Sequence, residues 1–125
     1  MSNPNHIEFG KYSEDLATQS LTQQGYKILE RNFRTPWGEI DIIAEEGDTL
    51  CFIEVKARNT RFEEFPLEAV SRIKQRKLIR VAWGYLKKNN FTHRRARFDV
   101  VAIFKGEDNL KYKIEIIKNA FGLEE

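Results

Sequence analysis

A chain of 125 residues that is 41% hydrophobic, with nine Phe, four Tyr and two Trp, is about one domain long and carries enough apolar side chain to fill one core. Its apolar runs are broken by charge after a handful of residues and its amino terminus lacks the basic region and apolar run of a signal peptide, which argues against membrane insertion and secretion and for a soluble, cytoplasmic protein. One cysteine, Cys51, excludes an internal disulfide, and with only His6 and His93 beside it no tetrahedral zinc cluster can form.

Between Ile7 and Gln24 the residues Phe9, Tyr12, Leu16, Ala17 and Leu21 fall near the spacing of one helix face, and Gly25 supplies a stop. Tyr26 to Arg34 reads as extended, Thr35-Pro36-Trp37-Gly38 as a turn, and Glu39 to Ala44 as a second strand. Glu45-Glu46-Gly47-Asp48 turns the chain into a third strand, Thr49 to Arg58, in which Cys51 is a small core residue. After a loop containing Pro66, Leu78, Val81, Ala82, Tyr85 and Leu86 mark the apolar stripe of a helix from about Ser71 to Lys88, ended by Asn89-Asn90. Ala96 to Phe104 is a fourth strand, Gly106 to Asn109 a turn, and Leu110 to Lys118 a last, peripheral strand. No repeat, low-complexity tract or linker divides the chain, so residues 1–125 read as a single domain of order α-β-β-β-α-β-β.

Strand alternation puts Phe52, Glu54, Lys56 and Arg58 on one face of the third strand and Cys51, Ile53, Val55 and Ala57 on the other, which is expected to be the core face. On the second strand Glu39, Asp41 and Ile43 share a side, with Ile40 and Ile42 opposite. Antiparallel pairing can then set Asp41 near Glu54, with Lys56 one alternation further. Two carboxylates so placed can hold Mg²⁺ or Mn²⁺, and the lysine adds positive charge where phosphodiester cleavage develops negative charge. About 1.7 acid-x-Lys triplets are expected by chance in this composition, so the triplet gains its weight from context.

That context is a helical Glu14, then Gly-Glu-Ile-Asp-Ile-Ile-Ala at 38 to 44, Phe-Ile-Glu-Val-Lys at 52 to 56, a basic helix, and Arg97-Phe98-Asp99-Val100. The arrangement resembles the PD-(D/E)XK nuclease superfamily, and more closely the YraN family of small bacterial endonuclease-like proteins. The resemblance implies an α/β fold with a restriction-endonuclease-like αβββαβ core, a mixed central sheet flanked by helices. It also implies that Asp41 and Glu54 are metal-binding acids, Lys56 the motif lysine, and Glu14 the helical acid that similar archaeal Holliday-junction resolvases set beside their metal. Glu39 is a candidate outer ligand, and Ala57 stands where the family usually has Thr. Junction-cleaving relatives work as dimers, so a homodimer is expected by analogy.

The net charge of +2 conceals a segregation: residues 56–97 hold thirteen Lys and Arg against three Glu, while the remainder holds eight basic against sixteen acidic residues. Such a split suggests a surface for a polyanion, with Lys74, Arg76, Lys77 and Arg80 on the second helix and Arg94, Arg95 and Arg97 before the fourth strand as candidates. Asp99 is expected to pair with a nearby Arg. Trp37 reads either as the hydrophobic cap of its hairpin or as a platform for a base. Three functions fit: a metal-dependent, structure-selective nuclease acting on DNA, branched or junction DNA included, or on RNA; a nucleic-acid-binding protein without efficient cleavage; and a protein-interaction adaptor.

Overall fold

The computed structural model describes residues 4–58, 70–105 and 112–123. The expected loop around Pro66, the turn Gly106 to Asn109 and Leu110 lie outside the described residues. Two helices, α1 (Pro4–Gln23) and α2 (Arg72–Lys88), flank five strands: β1 (Lys27–Thr35), β2 (Gly38–Glu46), β3 (Thr49–Arg58), β4 (Ala96–Lys105) and β5 (Tyr112–Phe121). The sheet runs β1-β2-β3-β4-β5, antiparallel except for the parallel β3–β4 pair, so α2 lies in the connection that a parallel neighbour requires. This is the expected αβββαβ core, with β5 added at one edge.

Both helices stop for the same local reason. After α1 the Tyr26 amide donates to the Leu21 carbonyl at 3.0 Å and Gly25 to Thr22 at 3.1 Å, with Gly25 at φ +94°. After α2, Phe91 donates to Leu86 at 2.7 Å and Asn90 to Lys87 at 3.3 Å, with Asn90 at φ +58°. Each closes the last turn through a residue tolerant of left-handed backbone. At the other end of α2 the Ser71 hydroxyl accepts from the Lys74 amide at 3.2 Å and caps the helix.

The sequence expectation of one core face on β3 needs correction, because β3 is central and buried on both sides. Leu50 and Phe52 pack under α2 with Leu78, Ala82, Tyr85 and Phe98. Cys51 and Ile53 pack under α1 with Ala17, Leu21, Val101 and Ile103. Burial pushes the Cys51 thiol up to about 12, in keeping with an inert core residue. The alternation expected on β2 is also corrected: Ile40 lies with Ile43 in the α2 layer, and Ile42 lies with Ala44 in the α1 layer. The slip falls at Asp41.

Asp99 pairs with an arginine as expected, within a larger network. Fully buried, it accepts from Arg97 Nε at 2.9 Å, the Tyr26 hydroxyl at 2.9 Å and the Asn119 amide at 2.9 Å. Arg97 also donates to Glu46 Oε1 at 2.6 Å, and Lys118 holds Glu46 Oε2 at 2.6 Å. These bonds complete the buried carboxylate's shell, so truncating Arg97 leaves an uncompensated charge. Arg97→Ala should therefore lose roughly 2–4 kcal/mol in urea unfolding, toward the lower end for a buried pair because Arg97 keeps some contact with water. A loss below about 1 kcal/mol would show that the network contributes little.

Candidate functional site

At the other end of the β2–β3 pair the ladder opens. Pairing between the strands runs from Glu46↔Thr49 to Ile42↔Ile53 and stops. The next position would set Asp41 opposite Glu54. Instead the Val55 amide donates to Asp41 Oδ2 at 2.8 Å, so a side chain takes the hydrogen bond that a backbone carbonyl would have taken. On the far side of β2, β1 keeps one register through Arg31↔Ile42 and Phe33↔Ile40, with Asn32 between them at φ +55°; its register shift lies further along, between Ile28 and Glu30. β3 thus leaves β2 at Asp41, and the Asp41 carboxylate is fixed in the fork.

Three acids meet there. Glu14 from α1, Glu39 from β2 and Asp41 each offer a carboxylate oxygen, all within 4.8 Å of one another. Asn32, with its amide nitrogen toward the acids as hydrogen bonding requires, donates to Glu14 Oε1 at 3.0 Å and Glu39 Oε1 at 2.9 Å. Arg31 lies 3.7 Å from Glu14 and 2.9 Å from Asp15, and Arg34 lies 3.5 Å from Glu39.

Glu54, 7% exposed, belongs to a second group beside the first. Its Oε1 is 2.6 Å from Lys74 Nζ on the first turn of α2 and 3.6 Å from Lys56 Nζ. Burial acts to lower the Lys74 pKa, but the hydrogen bond and charge of Glu54 outweigh it and raise the value. Lys56 moves the other way: burial, then the neighbouring Lys74, lower its pKa against the pull of Glu54.

Asp41 bears the strain of the arrangement. Burial first, then the charges of Glu54, Glu14 and Glu39, raise its pKa from the ordinary 3.8 to about 7, with the Val55 amide opposing. An all-carboxylate oxygen set at this spacing suits a hard divalent cation such as Mg²⁺ or Mn²⁺. Such an ion would relieve the repulsion among the acids.

Asp41, Glu54, Lys56, Glu14 and Glu39 are thus brought to one end of the sheet, with Glu39 in the cluster itself. Lys74, expected on the partner surface, lies at the site through Glu54. Arg76, Lys77 and Arg80 follow it along the exposed side of α2. Arg94 and Arg97 lie elsewhere and are engaged, Arg94 with Glu45 at 2.7 Å and Arg97 in the Asp99 network. Arg95 is exposed near that end. Asn32 carries no charge and escaped sequence reasoning, although an Asn inside a strand pattern is a signal for left-handed backbone.

A mixed α/β domain with an αβββαβ core, a five-stranded sheet flanked by two helices and bearing acids and lysines where β2 and β3 part, defines the class. Among the described residues no helix is long and apolar enough to cross a membrane. The sequence profile of the uncharacterised protein family UPF0102 matches residues 13–103, and the chain belongs to that family. The UPF0102 protein of Desulfosudis oleivorans is 47% identical over 91% of this chain and 89% of its own length. That of Desulforapulum autotrophicum is 47% identical over 90% and 91%, and that of Caldicellulosiruptor saccharolyticus 43% identical over 94% and 99%.

The raised Asp41 pKa carries a sign for stability. Below 3.8 both folded and unfolded chains hold the proton, and above about 7 neither does; between them only the folded chain holds it. The metal-free protein therefore loses stability as pH rises from 3.8 toward about 7. Asp41→Asn keeps an oxygen for the Val55 amide and removes the charge. Melted in EDTA, the mutant should gain on wild type as pH rises, ending ahead by ~1–3 kcal/mol near pH 8. A gap that does not change with pH, or a mutant less stable than wild type at the alkaline end, would show that Asp41 is a structural residue.

Proposed function

We propose that this protein is a Mg²⁺- or Mn²⁺-dependent nuclease that hydrolyses phosphodiester bonds in DNA, with Asp41, Glu54, Lys56 and Glu14 as its working groups. The observation that carries the reading is the fork: Asp41, fixed by the Val55 amide, gathers with Glu14 and Glu39 beside Glu54 and its two lysines. Asp41, Glu14 and Glu39 would hold the ion, with Glu54 completing the set when it leaves Lys74. Bound there, the ion would polarise a phosphoryl oxygen and acidify water. Lys56 Nζ and Lys74 Nζ, both beside Glu54, would supply positive charge where cleavage develops negative charge on the phosphate. Arg76, Lys77 and Arg80 extend positive charge along α2 for the backbone of the same strand.

One observation favours binding without efficient cleavage: Glu54 is held by Lys74 at 2.6 Å, outside the three-acid cluster. Activity separates the two readings. Cleavage should require Mg²⁺ or Mn²⁺, and Asp41→Asn, Glu54→Gln and Lys56→Ala should each reduce it by at least ~10²-fold, the scale for one preorganised electrostatic group. Cleavage of labelled DNA that continues undiminished in EDTA, or at wild-type rate in Asp41→Asn, would end the nuclease reading. Salt-sensitive DNA binding with no cleavage under either metal would leave the binding protein.

A further inference from the structure

The β1–β2 hairpin and α2 enclose a cleft of about 360 Å³, lined by Pro36, Trp37, Ile73, Arg76, Lys77 and Arg80. Its four α2 residues stand at i, i+3, i+4 and i+7, which makes them one exposed stripe of the helix, opposite the buried stripe of Leu78, Val81, Ala82 and Tyr85. Trp37 does not cap its hairpin in the core; it is 61% exposed, and Ile73 is 69% exposed. The Arg80 guanidinium lies 4.8 Å from the indole centroid, a cation–π contact that steadies the ring while the rest of it stays open.

We propose that this cleft is a binding subsite for an unpaired nucleotide, whose base stacks on Trp37 while its phosphates meet Arg76, Lys77 and Arg80. Three cations and no acid line the cleft, so the complementary occupant is a polyanion. A second copy docking the same face would oppose like charges across the two-fold axis. A neutral peptide would leave the cations without counter-charge. Stacking requires a base with an open face, and bases within continuous duplex have both faces covered by their neighbours. The cleft is also at the small end of ligand-sized pockets, which suits a base and not a double helix.

The subsite is joined to the acids by a rigid strand. Trp37 precedes Glu39 by two residues and Asp41 by four, about 7 and 13 Å at a strand rise of about 3.3 Å. Here the inference rests on the nuclease reading: a nucleotide on Trp37 sets which phosphate of the strand reaches the acids. The binding itself needs no chemistry.

Binding is therefore measured in EDTA, with labelled oligothymidylate and with blunt duplex DNA. Trp37→Ala should weaken single-strand binding about tenfold or more and leave duplex binding within about twofold, because stacking serves the base and the α2 cations serve either backbone. Trp37→Phe should recover most of the loss. In Trp83→Phe protein, Trp37 is the sole tryptophan, and its emission should be quenched as oligothymidylate is added. Unchanged single-strand affinity in Trp37→Ala, an equal loss for duplex, or no quenching would overturn the proposal. So would a wild-type dimer that Trp37→Ala dissociates and that binds no single strand, since the cleft would then be a self-interface. Failure of cleavage with intact Trp37-dependent binding removes only the nuclease reading; cleavage that persists without such binding removes only this subsite.

Discussion

The hydrogen bond from the Val55 amide to Asp41 Oδ2 is the constraint on which the rest of the site depends. Interior strands leave few backbone groups unpaired, because a buried amide without a partner costs about as much as a lost hydrogen bond. Where β2 and β3 part, β3 would expose such an amide, and Asp41 satisfies it with a side chain. The bond holds the fork open and positions the carboxylate at once. It also draws Asp41 into a partly buried setting beside three other acids, where ionisation is unfavourable. The metal affinity proposed for the site and its instability without a cation would thus share one cause.

The two ends of the sheet solve the problem of buried carboxylates in opposite ways. Asp99 is surrounded by donors, from Arg97, Tyr26 and the Asn119 backbone, and its partner arginine is tied in turn to Glu46 and Lys118. Asp41, with one amide donor, faces Glu54, Glu14 and Glu39. Arg97 lies opposite Cys51, three strand residues from Glu54, so the satisfied and unsatisfied ends are about 10 Å apart along β3. A rigid end and a strained end on one sheet are what a site needs when its ligands must be held before the ligand arrives.

Much of the fold was legible because its signals are local. Gly25 and Asn90 end helices by adopting left-handed backbone, Ser71 caps α2, and the hairpin turns lie at Pro36-Trp37 and Gly47-Asp48. The acids were legible through their alternation and through the resemblance of the motifs around them. What alternation could not reveal was the slip at Asp41, where β3 leaves β2 and Asn32, across on β1, takes left-handed backbone. Nor could it show that β3 is buried on both faces, since strand order is a tertiary property. Lys74 and Arg97 show the same limit for charge. Both belong to a basic stretch, yet one completes a Glu54 pair at the fork and the other a buried network at the far end.

The position of Lys74 also explains why the three-acid cluster includes Glu39 and not Glu54. Without a cation, four carboxylates near one fork repel one another, and the least costly arrangement recruits ammonium groups from the nearest helix. Lys74, in the first turn of α2, is within reach of Glu54 and takes it, while Arg31 and Arg34 approach Glu14 and Glu39 more loosely at 3.7 and 3.5 Å. Among the described residues no cation forms a salt bridge with Asp41, and burial first, then the neighbouring acids, raise its pKa. A divalent ion at the proposed site would compete with Lys74 for Glu54 by supplying twice the charge at a shorter distance, and a phosphate would compete for Lys74 from the other side. Each exchange would favour the other: a metal that drew Glu54 away would free Lys74 for phosphate, and a phosphate that engaged Lys74 would release Glu54 for metal. The Glu54–Lys74 pair is therefore the element through which metal and nucleic acid would bind cooperatively, without any change in the strands that carry them.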